Sequence, residues 1–174
     1  MSENGNTEQR EILVRRALEE FEARLIGYAA SILRDQDRAR DVTQDTFIKL
    51  YSQDPDKVSE ALKAWLFTVC RNRCLDILRK EKRMETIEQE QVVQIHDKTE
   101  DPSRQAERSD EQSEVMRFLE RLPENQKEVL RLKFQGDMSY KEISEVTSLS
   151  VSNVGFLIHA GLKRMRGMLS HQTA

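Results

Sequence analysis

Leu122-Pro-Glu-Asn-Gln-Lys-Glu-Val-Leu130, Gly136, Ser139-Tyr-Lys-Glu-Ile-Ser-Glu-Val146 and Ser150-Val-Ser-Asn-Val154 together decide the fold of this chain. Through Leu169 they spell helix, stop, capped helix, tight turn, helix. Pro123 suits a first helical position, where its missing N–H has no partner to lose. Gly136 is the residue type that takes a left-handed conformation and closes a helix. Ser139 and Glu142 have capping-box spacing, so each satisfies a free backbone N–H at the helix start. A second start follows at Ser150. Two short helices joined this tightly form a helix-turn-helix, which presents its second helix to a DNA groove. The same pattern also occurs as a plain packing hairpin, so the rest of the chain has to decide its use.

Composition narrows the class. Among 174 residues there are 6 Gly and 3 Pro, and 34% are charged. That favours helices with solvated faces, and no run of period-two alternation argues for strands. The expected fold class is all-α: two small helical domains joined by a flexible acidic linker, with the helix-turn-helix in the C-terminal one. Cys70 and Cys74 stand four apart in an apolar stretch, without a His or a second Cys pair at metal-ligand spacing. They read as reduced packing residues. No metal and no cofactor is expected. No basic leader precedes an apolar core, and no stretch approaches the ~18 apolar residues of a span. The expectation is a soluble, cytoplasmic chain with no membrane insertion.

Charge divides the chain into three. Met1 to Met84 holds 16 basic and 15 acidic residues, Glu85 to Gln112 holds 3 and 9, and Ser113 to Ala174 holds 9 and 7. The acidic middle carries Pro102 and shows no sustained apolar stripe, so it reads as a linker. The expected domains are 11–84 and 113–170, with 85–112 between them. A net charge of −3 makes a poor free-standing DNA binder, since non-specific affinity comes from cations meeting phosphates. A larger partner, or a locally basic site, must supply affinity.

The N-terminal domain opens on a helix with Leu18, Phe21, Leu25, Tyr28, Ala29 and Ile32 in a stripe. The first ten residues lack that stripe and are expected to fray. A second helix runs from about Asp37 to Tyr51. At about 100° per residue, Ala39, Val42, Thr43, Thr46, Phe47 and Leu50 share one side. Asp37, Asp41, Gln44, Asp45 and Ile48 share the other. A solvated face is the ordinary meaning of such a side. Three carboxylates around one apolar residue also suit docking of a basic partner helix. Ser52 to Glu60 is polar, holds Pro55 and reads as a loop.

The third helix, Leu62 to Arg83, is apolar first and basic later. Leu62, Trp65, Leu66 and Val69 make its apolar face; Arg71, Arg73, Arg79, Lys80, Lys82 and Arg83 make it basic. Cations near a helix C-terminus suit the macrodipole without further purpose. They also suit phosphate. Asn72, Asp76, Arg79 and Arg83 share a stripe, and Asn and Arg can read base edges.

These segments resemble the extracytoplasmic-function group of bacterial RNA polymerase sigma factors. Phe21-Glu-Ala-Arg-Leu-Ile-Gly-Tyr-Ala29 looks like the opening helix of sigma region two. Ala39-Arg-Asp-Val-Thr-Gln-Asp-Thr-Phe-Ile-Lys-Leu-Tyr51 is similar to its polymerase-gripping segment. Lys63-Ala-Trp-Leu-Phe-Thr-Val-Cys-Arg-Asn72 and Leu75-Asp-Ile-Leu-Arg79 look like the segment that melts and reads the minus-ten element. Leu122 to Leu130 and Ser139 to Ile143 resemble region four. Each motif alone is loose; in this order, over about Ala17–Arg83 and Val115–Leu169, they are specific.

The resemblance implies core RNA polymerase and promoter DNA as partners, with an anti-sigma factor as a further partner class. It implies a polymerase contact through Asp41, Gln44, Asp45 and Ile48. It implies a minus-ten contact through Asn72, Asp76, Arg79 and Arg83, with a base pocket somewhere in residues 52–60. The helix after Ser150 is then the minus-thirty-five reader. There Val151, Val154, Ile158, Leu162 and Met165 form the core stripe, and Ser152, Asn153, Phe156, His159, Lys163 and Arg166 face out or stand at its edge. Family members commonly carry Lys, Ser or Arg just after the Val matching Val154; this chain has Gly155, Phe156 and Leu157. Phe156 then either meets thymine methyl groups or packs on a protein. Gly155 and Gly161 each cost about 1 kcal/mol of helix propensity relative to Ala, so they mark close backbone approach or a weak helix.

No phosphate loop, metal cluster or nucleophile–base pair appears, so an enzyme is not expected. His96, His159 and His171 read as solvated. Two other classes compete with transcription initiation. One is a helix-turn-helix DNA-binding regulator acting without polymerase. The other is a degenerate sigma-like interaction protein that sequesters a partner.

Overall fold

A computed structural model describes residues 2–91 and 110–172. Every regular element among them is helical. The N-terminal unit comprises α1 (Ser2–Leu33), α2 (Gln36–Tyr51), the one-turn α3 (Pro55–Val58), a 3-10 turn (Ser59–Ala61) and α4 (Leu62–Gln91). The C-terminal unit comprises α5 (Asp110–Glu120), α6 (Glu124–Phe134), α7 (Tyr140–Thr147) and α8 (Val151–Gln172).

α1, α2 and α4 pack on one another in the first unit. Arg34 ends α1 in the left-handed region, and Asp35 caps α2 by accepting from the backbone N–H groups of Asp37 and Arg38. Two residues therefore turn the chain. α2 buries Ala39, Val42, Thr43, Thr46, Phe47 and Leu50, the six positions its periodicity puts on one side. The Thr43 and Thr46 hydroxyls donate to the carbonyls one turn earlier, each at 2.8 Å, so neither is buried unpaired.

Four expectations need correction here. Residues 2–10 do not fray: α1 is helical from Ser2, with Asn4 to Gln9 exposed. Extending a helix that is already packed is far easier than nucleating one, so no buried face is required. Residues 52–60 are not simply a loop. Asp54 caps Pro55 at a helix start, and Pro55 and Val58 are buried. The deep face of α4 is Ala64, Leu66, Phe67, Cys70 and Cys74, while Leu62, Trp65 and Val69 are only partly buried. α4 meets α1 and α2 on one flank and α7 on another, so its core face is broader and rotated. Finally, α4 runs past Met84 to Gln91 and α5 starts at Asp110, so the acidic segment is helical at both ends. Glu, Gln, Lys and Met sustain a helix by propensity alone, which leaves no apolar stripe to see. The remainder of that segment, with His96 and Pro102, lies outside the described residues.

The second unit is the helix-turn-helix. Pro123 sits one residue earlier than expected, at the N-cap of α6, with φ −53° and ψ 146°. Gly136 is not left-handed; Asp137 takes that role, with φ 51°. Glycine is required at 136 for closeness instead, because a Cβ there falls 2.7 Å from the Leu132 carbonyl oxygen. The capping box of α7 is complete: Ser139 N–H donates to Glu142 Oε2 at 2.8 Å, and Glu142 N–H donates to Ser139 Oγ at 3.2 Å. Ser148 closes α7 at φ 62°, and Ser150 Oγ accepts from Asn153 N–H at the start of α8. Ile143, Val146, Val154, Leu157 and Ile158 form the core between α7 and α8. Val151, expected in that stripe, is 49% exposed at the first position of α8, and the buried stripe begins at Val154. Leu162 and Met165 are partly buried.

Candidate docking and nucleic-acid interfaces

Three outward faces carry the residues singled out by sequence. On α2, burial of the opposite side turns Asp41, Gln44 and Asp45 to solvent, with Ile48 66% exposed among them. Asp45 Oδ2 lies 3.8 Å from Arg73 Nε of α4, which partly offsets its charge. Asp37 meets Arg40 at 4.0 Å. Asp41 and Asp45 therefore lead an acidic rim around an exposed apolar side chain.

On α4, Asn72, Asp76, Arg79 and Arg83 are all exposed and share the side away from Leu66, Phe67, Cys70 and Cys74. Arg79 Nη1 meets Asp76 Oδ1 at 3.3 Å, an exposed pair worth little to stability but able to fix the guanidinium's direction. Arg79 and Arg83, with Lys82, Thr86 and Ile87, line a shallow cleft further along α4. Asp54, Asp56, Lys57 and Glu60, in the turn before α4, are exposed as well.

On α8, Ser152, Asn153, His159, Lys163 and Arg166 are exposed, and Phe156 is 69% exposed. Among the described residues nothing covers that ring. Both glycines mark close approach. A Cβ on Gly155 falls 3.3 Å from the Tyr140 ring of α7, and one on Gly161 falls 2.8 Å from Leu130 Cδ1 of α6. Gly161 is buried and lets α8 cross α6 closely. His159 and His171 are exposed, as read from sequence.

Two charge clusters escaped the sequence reading. Lys127 and Arg131 are buried on α6, and both reach Glu120 of α5. Burial opposes the Glu120 carboxylate, yet the Lys127 and Arg131 cations hold its pKa below the ordinary value. The second cluster joins the units. Glu128 of α6 accepts from the Tyr28 hydroxyl at 2.8 Å and from Arg71 Nε at 2.6 Å. Lys63 Nζ reaches the Asp137 carbonyl at 2.6 Å and the Glu142 carboxylate at 3.4 Å. These partners are 57 to 100 residues apart, so no local spacing announces them.

Comparison with known proteins agrees with this geometry. Residues 17–84 match the family model for Sigma-70 region 2, and residues 112–165 match that for Sigma-70, region 4. The chain is 31% identical over 132 residues to the ECF RNA polymerase sigma factor RpoE of Cereibacter sphaeroides, covering 76% of this chain and 70% of the relative. It is 27% identical over 143 residues to the ECF RNA polymerase sigma factor SigM of Bacillus subtilis, covering 81% and 85%. The fold is shared with the sigma factor RpoE of Bartonella quintana, co-crystallised with the anti-sigma factor NepR. That match has a TM-score of 0.62 and 24% identity over 90% of this chain and 96% of the other. With both sigma modules in order and a relative above 30% identity over most of its length, the chain belongs to the ECF RNA polymerase sigma factors and directs promoter recognition.

Proposed function

We propose that the chain binds core RNA polymerase through the α2 face of Asp41, Gln44, Asp45 and Ile48. The observation that carries this reading is the exposed Ile48 at the centre of that carboxylate rim. An apolar side chain held in water amid acids is complementary to a basic, partly apolar helix. In the same scheme, Asn72, Asp76, Arg79 and Arg83 of α4 meet the melted minus-ten strand, and residues 52–60 hold a flipped base. Ser152, Asn153, Phe156, His159, Lys163 and Arg166 of α8 meet the minus-thirty-five duplex. Residues 11–84 and 113–170 are the two working domains, and 85–112 joins them. The chain acts in the cytoplasm and carries out no catalysis of its own; none of its described helices is long and apolar enough to cross a membrane. An anti-sigma factor is a fitting regulator, by likeness to the RpoE–NepR pair.

The test is run-off transcription with purified core polymerase and promoters selected from genomic fragments. Discrete transcripts that depend on the chain are expected. Tight duplex binding without transcripts points instead to a polymerase-independent regulator. Polymerase binding without transcripts points to a sequestering protein.

A further inference from the structure

We propose that the free chain pairs with a second copy of itself, laying the acidic outward face of α2 on the basic outward face of α4 and hiding both. Two ion pairs set α2 and α4 side by side: Arg38 with Glu81, and Arg73 Nε with Asp45 Oδ2 at 3.8 Å. Residue numbers rise from 38 to 45 along α2 while they fall from 81 to 73 along α4, so the helices run antiparallel. Their outward sides therefore form one continuous surface. Asp37, Asp41 and Asp45 are exposed along one half of it, and Arg79, Lys80 and Arg83 along the other. By the same register, Asp37 and Asp41 stand level with Arg79, Lys80 and Arg83, and Ile48 stands level with the partly buried Val69.

A surface divided in this way is complementary to itself. A two-fold axis along the seam between the helices lays α2 of each copy on α4 of the other, with the register unchanged. Both acidic rows then meet basic rows, and Ile48 of each copy comes down at Val69 of the other. A two-fold axis across the helices would instead stack acid on acid. Asp76, a carboxylate within the basic half, is offset by Arg79 Nη1 at 3.3 Å. The net charge is only −3, so little overall repulsion opposes pairing. α2, with its 16 residues, is about 24 Å long. With two helices about 10 Å apart, the shared face covers about 500 Å² per copy. About 1,000 Å² in all lies at the lower edge of specific interfaces, so the dimer is weak and forms in the micromolar range.

The dimer itself needs no polymerase; only its consequence rests on the roles proposed above for α2 and α4. Pairing covers Asp41, Asp45 and Ile48 together with Arg79 and Arg83. A paired copy can therefore neither dock through α2 nor hold the minus-ten strand on α4. Core polymerase, by taking the α2 face, dissolves the pair and uncovers the α4 stripe in the same step.

The test is sedimentation of the full chain over a concentration series reaching about tenfold above the micromolar range, with circular dichroism as the fold control. Wild type is expected to pass from monomer to dimer, and to return to monomer as salt rises from about 0.05 to about 0.5 M. Asp41→Lys/Asp45→Lys and Arg79→Glu/Arg83→Glu are each expected to weaken the dimer by at least about tenfold at unchanged helicity. An equimolar mixture of the two is expected to restore it. There the new lysines meet the new glutamates, while the remaining native acids meet the remaining native cations. If either double variant loses helicity, Asp41→Lys and Lys80→Glu replace the pair in the same comparison. Wild type that stays monomeric throughout, or a mixture of folded variants that does not pair, overturns the self-contact. Growth beyond a dimer overturns the two-fold arrangement. Core polymerase is then added to the wild-type dimer. A dimer that persists in its presence overturns the α2 docking role and leaves the self-contact standing.

Discussion

α2 and α8 solve opposite recognition problems with the same device. Each leaves a large apolar side chain in water as the most exposed of its helix: Ile48 at 66% exposed and Phe156 at 69%. Around Ile48 stand Asp41, Gln44 and Asp45; around Phe156 stand Ser152, Asn153 and His159, with Lys163 and Arg166 about two to three turns beyond Phe156. The apolar centre is alike, and the rim differs in sign. An acidic rim repels phosphate and suits a basic protein. A hydroxyl and amide rim backed by cations suits base edges with phosphate beyond them. The rim, not the apolar centre, therefore assigns the partner.

The sharpest way to break this comparison is to reverse the acidic rim. Asp41→Lys with Asp45→Lys should weaken core polymerase binding by several kcal/mol, as juxtaposed like charges do at an interface. Helicity should stay unchanged, since both positions are exposed. Undiminished affinity in a pull-down titration against core polymerase would remove α2 as the docking surface. On α8, Phe156→Ala or Asn153→Ala should change preference at particular minus-thirty-five positions by about 1–3 kcal/mol. Transcription from a library with randomised upstream elements reads this. If both variants keep the wild-type preference, Phe156 is a protein contact and the two faces are more alike than their rims suggest.

A smaller effect belongs to the cations behind that rim. Lys163→Ala or Arg166→Ala should lower promoter affinity evenly across sequences and reduce the salt slope by about 1. A sequence-selective loss would place those side chains on bases instead. The smallest effects sit at the two glycines of α8. Gly155→Ala gains up to about 1 kcal/mol of helix propensity and meets only the edge of the partly buried Tyr140 ring. It should stabilise slightly. Gly161→Ala drives a methyl against Leu130, which is 2% exposed and has nowhere to yield. It should destabilise by about 1 kcal/mol net of the propensity gain. Thermal unfolding of both variants in parallel decides the sign at each site.

Legibility in the sequence followed the range of the interaction. The buried side of α2 and the Ser139–Glu142 box were readable because each is set within four residues by helix geometry. Details at helix ends were not. Pro123 and Gly136 both sit at helix ends, but as an N-cap and a close approach rather than a first turn and a left-handed closure. Either role satisfies the same composition. Val151 fits the stripe by angle, yet it is the first residue of α8 and stays exposed, with burial starting at Val154. The extensions of α1 and α4 carry no stripe, so periodicity could not report them. The contacts of Glu128 with Tyr28 and Arg71 were invisible altogether: Glu128 is one more Glu in a helix until α1 and α4 are folded against it.

The two thiols give the molecule an internal reporter. Cys70 and Cys74 are the only cysteines, and both are fully buried in α4. The hydrogen bond with Cys74, followed by burial, raises the Cys70 pKa and keeps it a neutral thiol. A thiol reagent therefore reaches them only when the packing of α1, α2 and α4 itself breaks up. Its labelling rate, with fast reclosure, measures the free energy of opening that cooperative unit and nothing smaller. The chain thus comes with a silent clock for unfolding, independent of any probe attached to its surface.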